Sequence, residues 1–156
     1  VLHILGEATR LNRALSADSD HSPAPGRLNE ALTRVARLVK HDYLVAVVSD
    51  FDGADAETTR LMTRMAEHND VVAFLVHDPM ARVIPEGVPM VVSDGRLQVE
   101  LKTQQGSVRT RLQEFTDQRI SAILDWQDKR GIPVIPISTE TDPVDQLVGL
   151  TGGGRR

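Results

Sequence analysis

The residues Leu44-Val45-Ala46-Val47-Val48 form an unbroken apolar run that stops at Ser49-Asp50-Phe51-Asp52-Gly53. Most of its side chains are β-branched, and a run this short that ends in a polar turn reads as a strand buried on both faces of a parallel sheet. Val71 to Val76 repeats the pattern and ends in His77-Asp78-Pro79. Ile132 to Ile137 is a third such strand, and its two prolines point to a sheet edge. Open α/β sheets bind ligands beyond the carboxyl ends of their strands. Ser49, Asp50, Asp52, Asp78 and Ser138 all fall at those ends, so they are the candidate site.

Helical periodicity fills the spaces between these strands. Val1, Ile4, Leu5, Ala8, Leu11 and Leu15 share a face over 1–16, and Leu28, Leu32, Val35, Leu38 and Val39 mark a helix over 27–40. Residues 17–26, with two prolines and a glycine, form a loop. Asp55 is placed to cap a helix over 56–68 that buries Leu61, Met62 and Met65. Residues 88–92 and 97–102 flank Asp94-Gly95 and predict a β-hairpin. A long helix over 107–130 closes at Gly131, and Asp142-Pro143 starts a short helix to about residue 150. The expectation is a doubly wound α/β fold with a mostly parallel sheet and an inserted hairpin. One domain over 1–151 precedes a basic tail, 152–156. Two helices before the first strand, and only three parallel strands, make the chain look like the second half of a larger domain.

Composition narrows the function. The 156 residues suffice for one core, the net charge is −4 and aromatic residues are 3%. Neither the basic footprint nor the stacking platform of a nucleic-acid binder is present. No apolar run reaches the roughly 20 residues of a membrane span, and Val1 opens an amphipathic pattern unlike a secretion leader. There is no cysteine, which excludes disulfides, thiol nucleophiles and thiolate zinc sites and fits a cytoplasmic location. His3, His21, His41 and His68 share no metal-ligand spacing. Trp126 lies off the main apolar stripe of its helix, where partial burial against the sheet is favoured over a partner-contact anchor, and Arg109, Arg111 and Arg119 read as a solvated face.

Asp50-Phe51-Asp52-Gly53 after a strand resembles the first motif of haloacid-dehalogenase-like phosphatases. That resemblance would make Asp50 a nucleophile, Asp52 a general acid/base and magnesium the cofactor. The rest of that family's pattern is not found here. Ala54 stands where the motif continues with Thr, and the strand ending at Val76 supplies His77-Asp78 in place of a Ser or Thr. A small-ligand site without metal, near Ser49, Asp78 and Ser138, is a further reading. The plain alternative is that Asp50 and Asp52 shape their own turn.

A longer set of blocks resembles the C-terminal half of the bacterial domain-of-unknown-function family fifty-eight, whose core is von Willebrand factor A-like. These blocks are the strand into Ser49-Asp50-Phe51, His68-Asn69-Asp70-Val71 entering the next strand, and His77-Asp78-Pro79 at its end. Pro85 to Val92 with the Asp-Gly hairpin, Val108-Arg109 opening the long helix, and the closing segment Thr139 to Arg156 complete them. The resemblance implies that strands 44–50, 71–76 and 132–137 are the fourth, fifth and sixth of a six-stranded sheet. Asp50 is then the last member of a metal-edge motif whose Asp-x-Ser-x-Ser cluster is absent from this chain, so magnesium is expected only with upstream ligands. It implies a partner, a MoxR-type AAA+ ATPase, and a role in protein assembly or maturation without catalysis. The 44–50 strand should be an apolar edge covered by another chain, such as a second copy in a homodimer, or by the 17–26 loop.

Overall fold

The computed structural model describes residues 2–13, 26–79, 90–93, 98–101 and 106–150. The fold is α/β. Its centre is a parallel sheet of β1 (Leu44–Ser49), β2 (Asp70–His77) and β5 (Val134–Ser138), in the order β1-β2-β5. Helices α1 (Leu2–Arg13) and α2 (Arg27–Leu38) precede β1, and α3 (Ala56–Ala66) makes the crossover to β2. The antiparallel hairpin β3 (Met90–Ser93) and β4 (Gln98–Leu101) and the long helix α4 (Gly106–Arg130) lead to β5, and α5 (Pro143–Leu150) follows. Every predicted element is present, with ends within a few residues of those read from periodicity. The 17–25 loop, the hairpin turn 94–97 and the tail lie outside the described residues.

Local chemistry sets the element boundaries. Asp55 caps α3: its carboxylate accepts from Thr58 N at 2.9 Å, and Thr58 Oγ1 accepts from Asp55 N at 3.0 Å, a reciprocal capping box. Asp142 Oδ1 accepts from Val144 N at 2.7 Å and so starts α5, with Pro143 at the first helical position. After α4 the chain turns at Gly131, whose φ of +66° suits a residue without a Cβ.

In a parallel sheet, residues in register point to the same face, so the strand pairings sort the side chains. Val45, Val47 and Ser49 align with Val71, Ala73 and Leu75, and Ala73 aligns with Val134. This face is covered. Leu32 of α2, Leu61, Met62 and Met65 of α3, and Ile123 and Trp126 of α4 close over it as one core. Met62 and Ala73 are fully buried. The other face carries Leu44, Ala46 and Val48, aligned with Asp70, Val72 and Phe74, and continues through Val76, Ile135 and Ile137. Ile137 is 9% exposed, whereas Leu44 and Val48 are 72% and 68% exposed. β1 is therefore covered on one side only, which corrects the expectation of burial on both. Its apolar run is real, but no helix among the described residues covers that end of the second face. β1 also forms one edge of the sheet, and β5 the other.

Candidate functional site

The carboxyl end of β1 is held by a tight local network. Ser49 Oγ accepts from Phe51 N at 3.0 Å, and Asp50 Oδ1 accepts from Asp52 N at 3.1 Å. These two side-chain turns allow Phe51 a left-handed backbone with φ +52°, a rare conformation for a bulky residue. That conformation drops the Phe51 ring into the core, where it is fully buried. It meets Trp126 edge to face, with ring centroids 5.4 Å apart. Gly53, at φ +70°, completes the turn. Asp52 Oδ1 then accepts from Arg119 Nη1 at 2.7 Å, so the turn is clamped to α4 by its side chain as well as by the Phe51 ring.

The remaining candidates are held in separate turns. Ser138 Oγ accepts from Glu140 N at 3.2 Å. Ser138 N donates to Gln146 Oε1 at 2.8 Å, and Gln146 Nε2 donates back to Ser138 O at 2.9 Å. This exchange pins α5 to the end of β5. His77 aligns with Ser138 in the sheet, whereas Ser49 aligns with Leu75. β1 therefore ends two residues below the point where β2 and β5 end together. Asp78 is exposed just past β2. The fold brings Ser49, Asp50, Asp52, Asp78 and Ser138 to one end of the sheet. Ser49, Asp50, Asp52 and Ser138 each spend oxygen atoms on a local turn or on Arg119.

Asp50 carries one carboxylate, already accepting from its own turn. Among the described residues, no three His, Asp or Glu side chains come together in a way that could hold a metal ion. His3, His41 and His68 are exposed and dispersed, and His41 Nδ1 lies 2.7 Å from Asp42 Oδ2. A shallow groove of about 340 Å³ runs beside the turn, between Asp52, Gly53 and Ala54 on one side and Gln118, Arg119, Ala122 and Ile123 on the other.

Arg119 and Asn29 depart from the sequence reading, and Trp126 goes beyond it. Arg119 pairs with Asp52, whereas a solvated face was expected; the side chains of Arg109 and Arg111 lie outside the described residues. Trp126 is buried as expected and more fully than expected: it is 5% exposed and belongs to the core, packed edge to face against Phe51. Asn29 joins the α3 cap. Its Nδ2 donates to Asp55 Oδ1 at 3.0 Å, and the fully buried Thr58 hydroxyl donates to Asn29 Oδ1 at 2.7 Å. This network locks α2 against α3. It holds the Asp55 carboxyl below its ordinary range, chiefly through the Thr58 backbone N–H and then through Asn29.

No helix among the described residues is long and apolar enough to cross a membrane. The profile of a family described as "Protein of unknown function DUF58" matches residues 5–121, most of the chain. No curated protein and no solved structure matches it.

Proposed function

The chain belongs to the DUF58 family of proteins of unknown function, and from that footing we propose that it is a protein-interaction module with no catalysis of its own. We read its sheet as part of a von Willebrand factor A-like domain that works with a MoxR-type AAA+ ATPase in assembling or maturing other proteins. One observation carries the interaction reading. The edge strand β1 leaves Leu44 and Val48 72% and 68% exposed, on the same sheet face as the half-buried Val72 and Phe74. An apolar sheet face beside an open edge takes another polypeptide, either laid on the face or added as a strand. A second copy of the chain, paired through β1, is one occupant of that edge. The spent oxygen atoms of Ser49 and Asp50 favour binding over chemistry at this end of the sheet. Asp50 serves a cation only if further ligands come from elsewhere.

The test is co-elution of the chain with a purified MoxR-type ATPase from the same genome. Wild type should co-elute, and the Leu44→Ser/Val48→Ser double variant should not, while both keep the same circular dichroism spectrum. A folded wild-type chain that never associates with the active ATPase overturns the ATPase assignment. Sedimentation velocity on the same samples shows whether β1 joins two copies. The alternative, a magnesium-dependent phosphatase using Asp50 and Asp52, is separated by assaying phosphate-ester hydrolysis. Turnover by wild type that disappears in Asp50→Asn would establish the enzyme.

A further inference from the structure

The uncovered part of the second sheet face has a definite width and length. Leu44, Ala46 and Val48 of β1 are exposed, and Val72, Phe74 and Val76 of β2, on the same face, are half-buried. On β5 exposure has fallen to 9% at Ile137. The open strip is therefore two strands wide, about 10 Å at the usual strand spacing. Along the sheet it follows the eight residues of β2, about 26 Å at 3.3 Å per residue.

The charges around this strip have one sign. Asp70 stands on it at the amino end, in register with Leu44. Asp50 and Asp78 stand just past the carboxyl ends of β1 and β2. All three are exposed, and neither Asp50 nor Asp70 pairs with a cation among the described residues. The register puts no lysine, arginine or histidine on this face of the three strands. At the amino end of the sheet, His41 lies against Asp42, and Lys40, Arg64 and Arg130 line clefts against α3, on the covered side.

We propose that this strip docks a basic amphipathic helix of a partner protein, its aliphatic stripe on the strands and its lysines or arginines along the flanks. An α-helix with its side chains is about 10–12 Å across and rises 1.5 Å per residue, so one helix of about 17 residues fills the strip. A strand added at β1 does not fill it. Strand side chains stand perpendicular to the sheet, so a new neighbour within the sheet leaves Leu44 and Val48 in water. Helices also cover the other face of the same strands. Charge decides the sign of the occupant. Basic flanks meet Asp70 at one end and Asp50 and Asp78 at the other, in a chain whose net charge is −4. The same carboxylates repel an acidic helix, a nucleic acid and an anionic bilayer. This proposal rests on the interaction-module reading and deepens it: the occupant is a helix laid on the face.

The experiment is fluorescence anisotropy with the whole chain and a labelled leucine–lysine peptide of about 17 residues, its leucines spaced for one helical face. One control has the same residues in alternating order, the pattern of a strand. The other is a leucine–glutamate peptide in helical order. Wild type should bind the helical leucine–lysine peptide with a gain in helical circular dichroism and lose it as salt rises. Both controls should bind at least about tenfold more weakly, a difference of about 1.4 kcal/mol. Leu44→Ser/Val48→Ser should also weaken binding about tenfold. Asp70→Asn/Asp78→Asn should weaken it about threefold and flatten the salt dependence, as expected of exposed ion pairs. Both variants should keep the parent circular dichroism spectrum. Absent binding, preference for either control, or unchanged affinity in either double variant overturns the proposal. So does co-sedimentation with phosphatidylglycerol vesicles that Leu44→Ser/Val48→Ser abolishes, or a dimer packed on Leu44 and Val48 that excess peptide leaves intact. Peptide binding without ATPase capture removes the ATPase assignment alone. ATPase capture through Leu44 and Val48 with the peptide ignored removes the helix and leaves the interaction module standing.

Discussion

The two faces of the β1-β2-β5 sheet are almost equally apolar in sequence and very differently treated by the fold. On one, Val45, Val71, Ala73, Leu75 and Val134 lie beneath three helices at 7% exposure or less. On the other, exposure climbs from 9% at Ile137 on β5 to 72% at Leu44 on β1. The covered face is the folding core; at about 25 cal/mol per Å² of buried apolar surface, that packing is where the stabilisation lies. At β1 the open face gains much less and remains available to a partner. An apolar run shows that a strand has two oily faces. Whether both are covered depends on where the helical layers reach.

The largest expected effects lie where the covered face is sealed. Phe51→Ala or Trp126→Ala should cost about 3–5 kcal/mol in urea unfolding, because each empties a fully packed aromatic site. The double variant should cost less than the sum of the two, since the edge-to-face contact is worth about 0.5–1.5 kcal/mol beyond area. Next comes Thr58→Val, at about 1–3 kcal/mol. It keeps the shape of a buried side chain but leaves Asn29 Oδ1 and Asp55 N without the partners they have now. If either class of variant cost no more than a surface change, the covered face would not be the core, and the contrast between the faces would fail.

Strand, helix and cap positions were legible because each is written in neighbouring residues. The Val71–Val76 run, Asp55 three residues before Thr58, and Asp142 before Pro143 are examples. The candidate site was legible as a location but not as a network. Ser49 and Asp50 were visible as strand-end polar residues. The consequence of their bonds, a left-handed Phe51 directed at Trp126, joins residues 75 positions apart in the chain. No local pattern encodes that contact. For the same reason Arg119 read as solvated and Asn29 was not singled out: their partners Asp52 and Asp55 lie on other elements. Trp126 sits off the periodic stripe of its helix; its burial could be expected, but the Phe51 ring that completes it could not. The one-sided cover of β1 was hidden because both of its faces carry the same kind of side chain.

Leu44→Ser and Val48→Ser sharpen the contrast from the open side. Each should change the unfolding free energy by no more than about 0.5 kcal/mol, the range for exposed positions, while raising solubility and lowering self-association in sedimentation velocity. A loss of several kcal/mol at dilute concentration would mean that the chain itself covers this face in solution.

The smallest expected effect is a pH dependence of the layer that makes the covered face covered. The Asp55 carboxylate bonds to the Thr58 N–H and to Asn29, and its pKa lies below the ordinary value of 3.8. A carboxyl group with a depressed folded pKa stabilises the fold fully above its unfolded pKa. That contribution is lost as pH falls through the folded value. The α2–α3 contact should therefore hold unchanged down to about pH 4 and loosen below it. Loosening would bare apolar surface between the two helices, so a dye that reports such surface should brighten there. Glu57 also has a lowered pKa, through its bond to Arg60, so acid alone does not isolate Asp55. Asp55→Asn does, because asparagine still caps a helix well and has no proton to gain. In that variant the part of the acid response due to Asp55 should be absent while the Glu57 part remains. An identical acid profile in both proteins would show that the cap does not hold the layer in place.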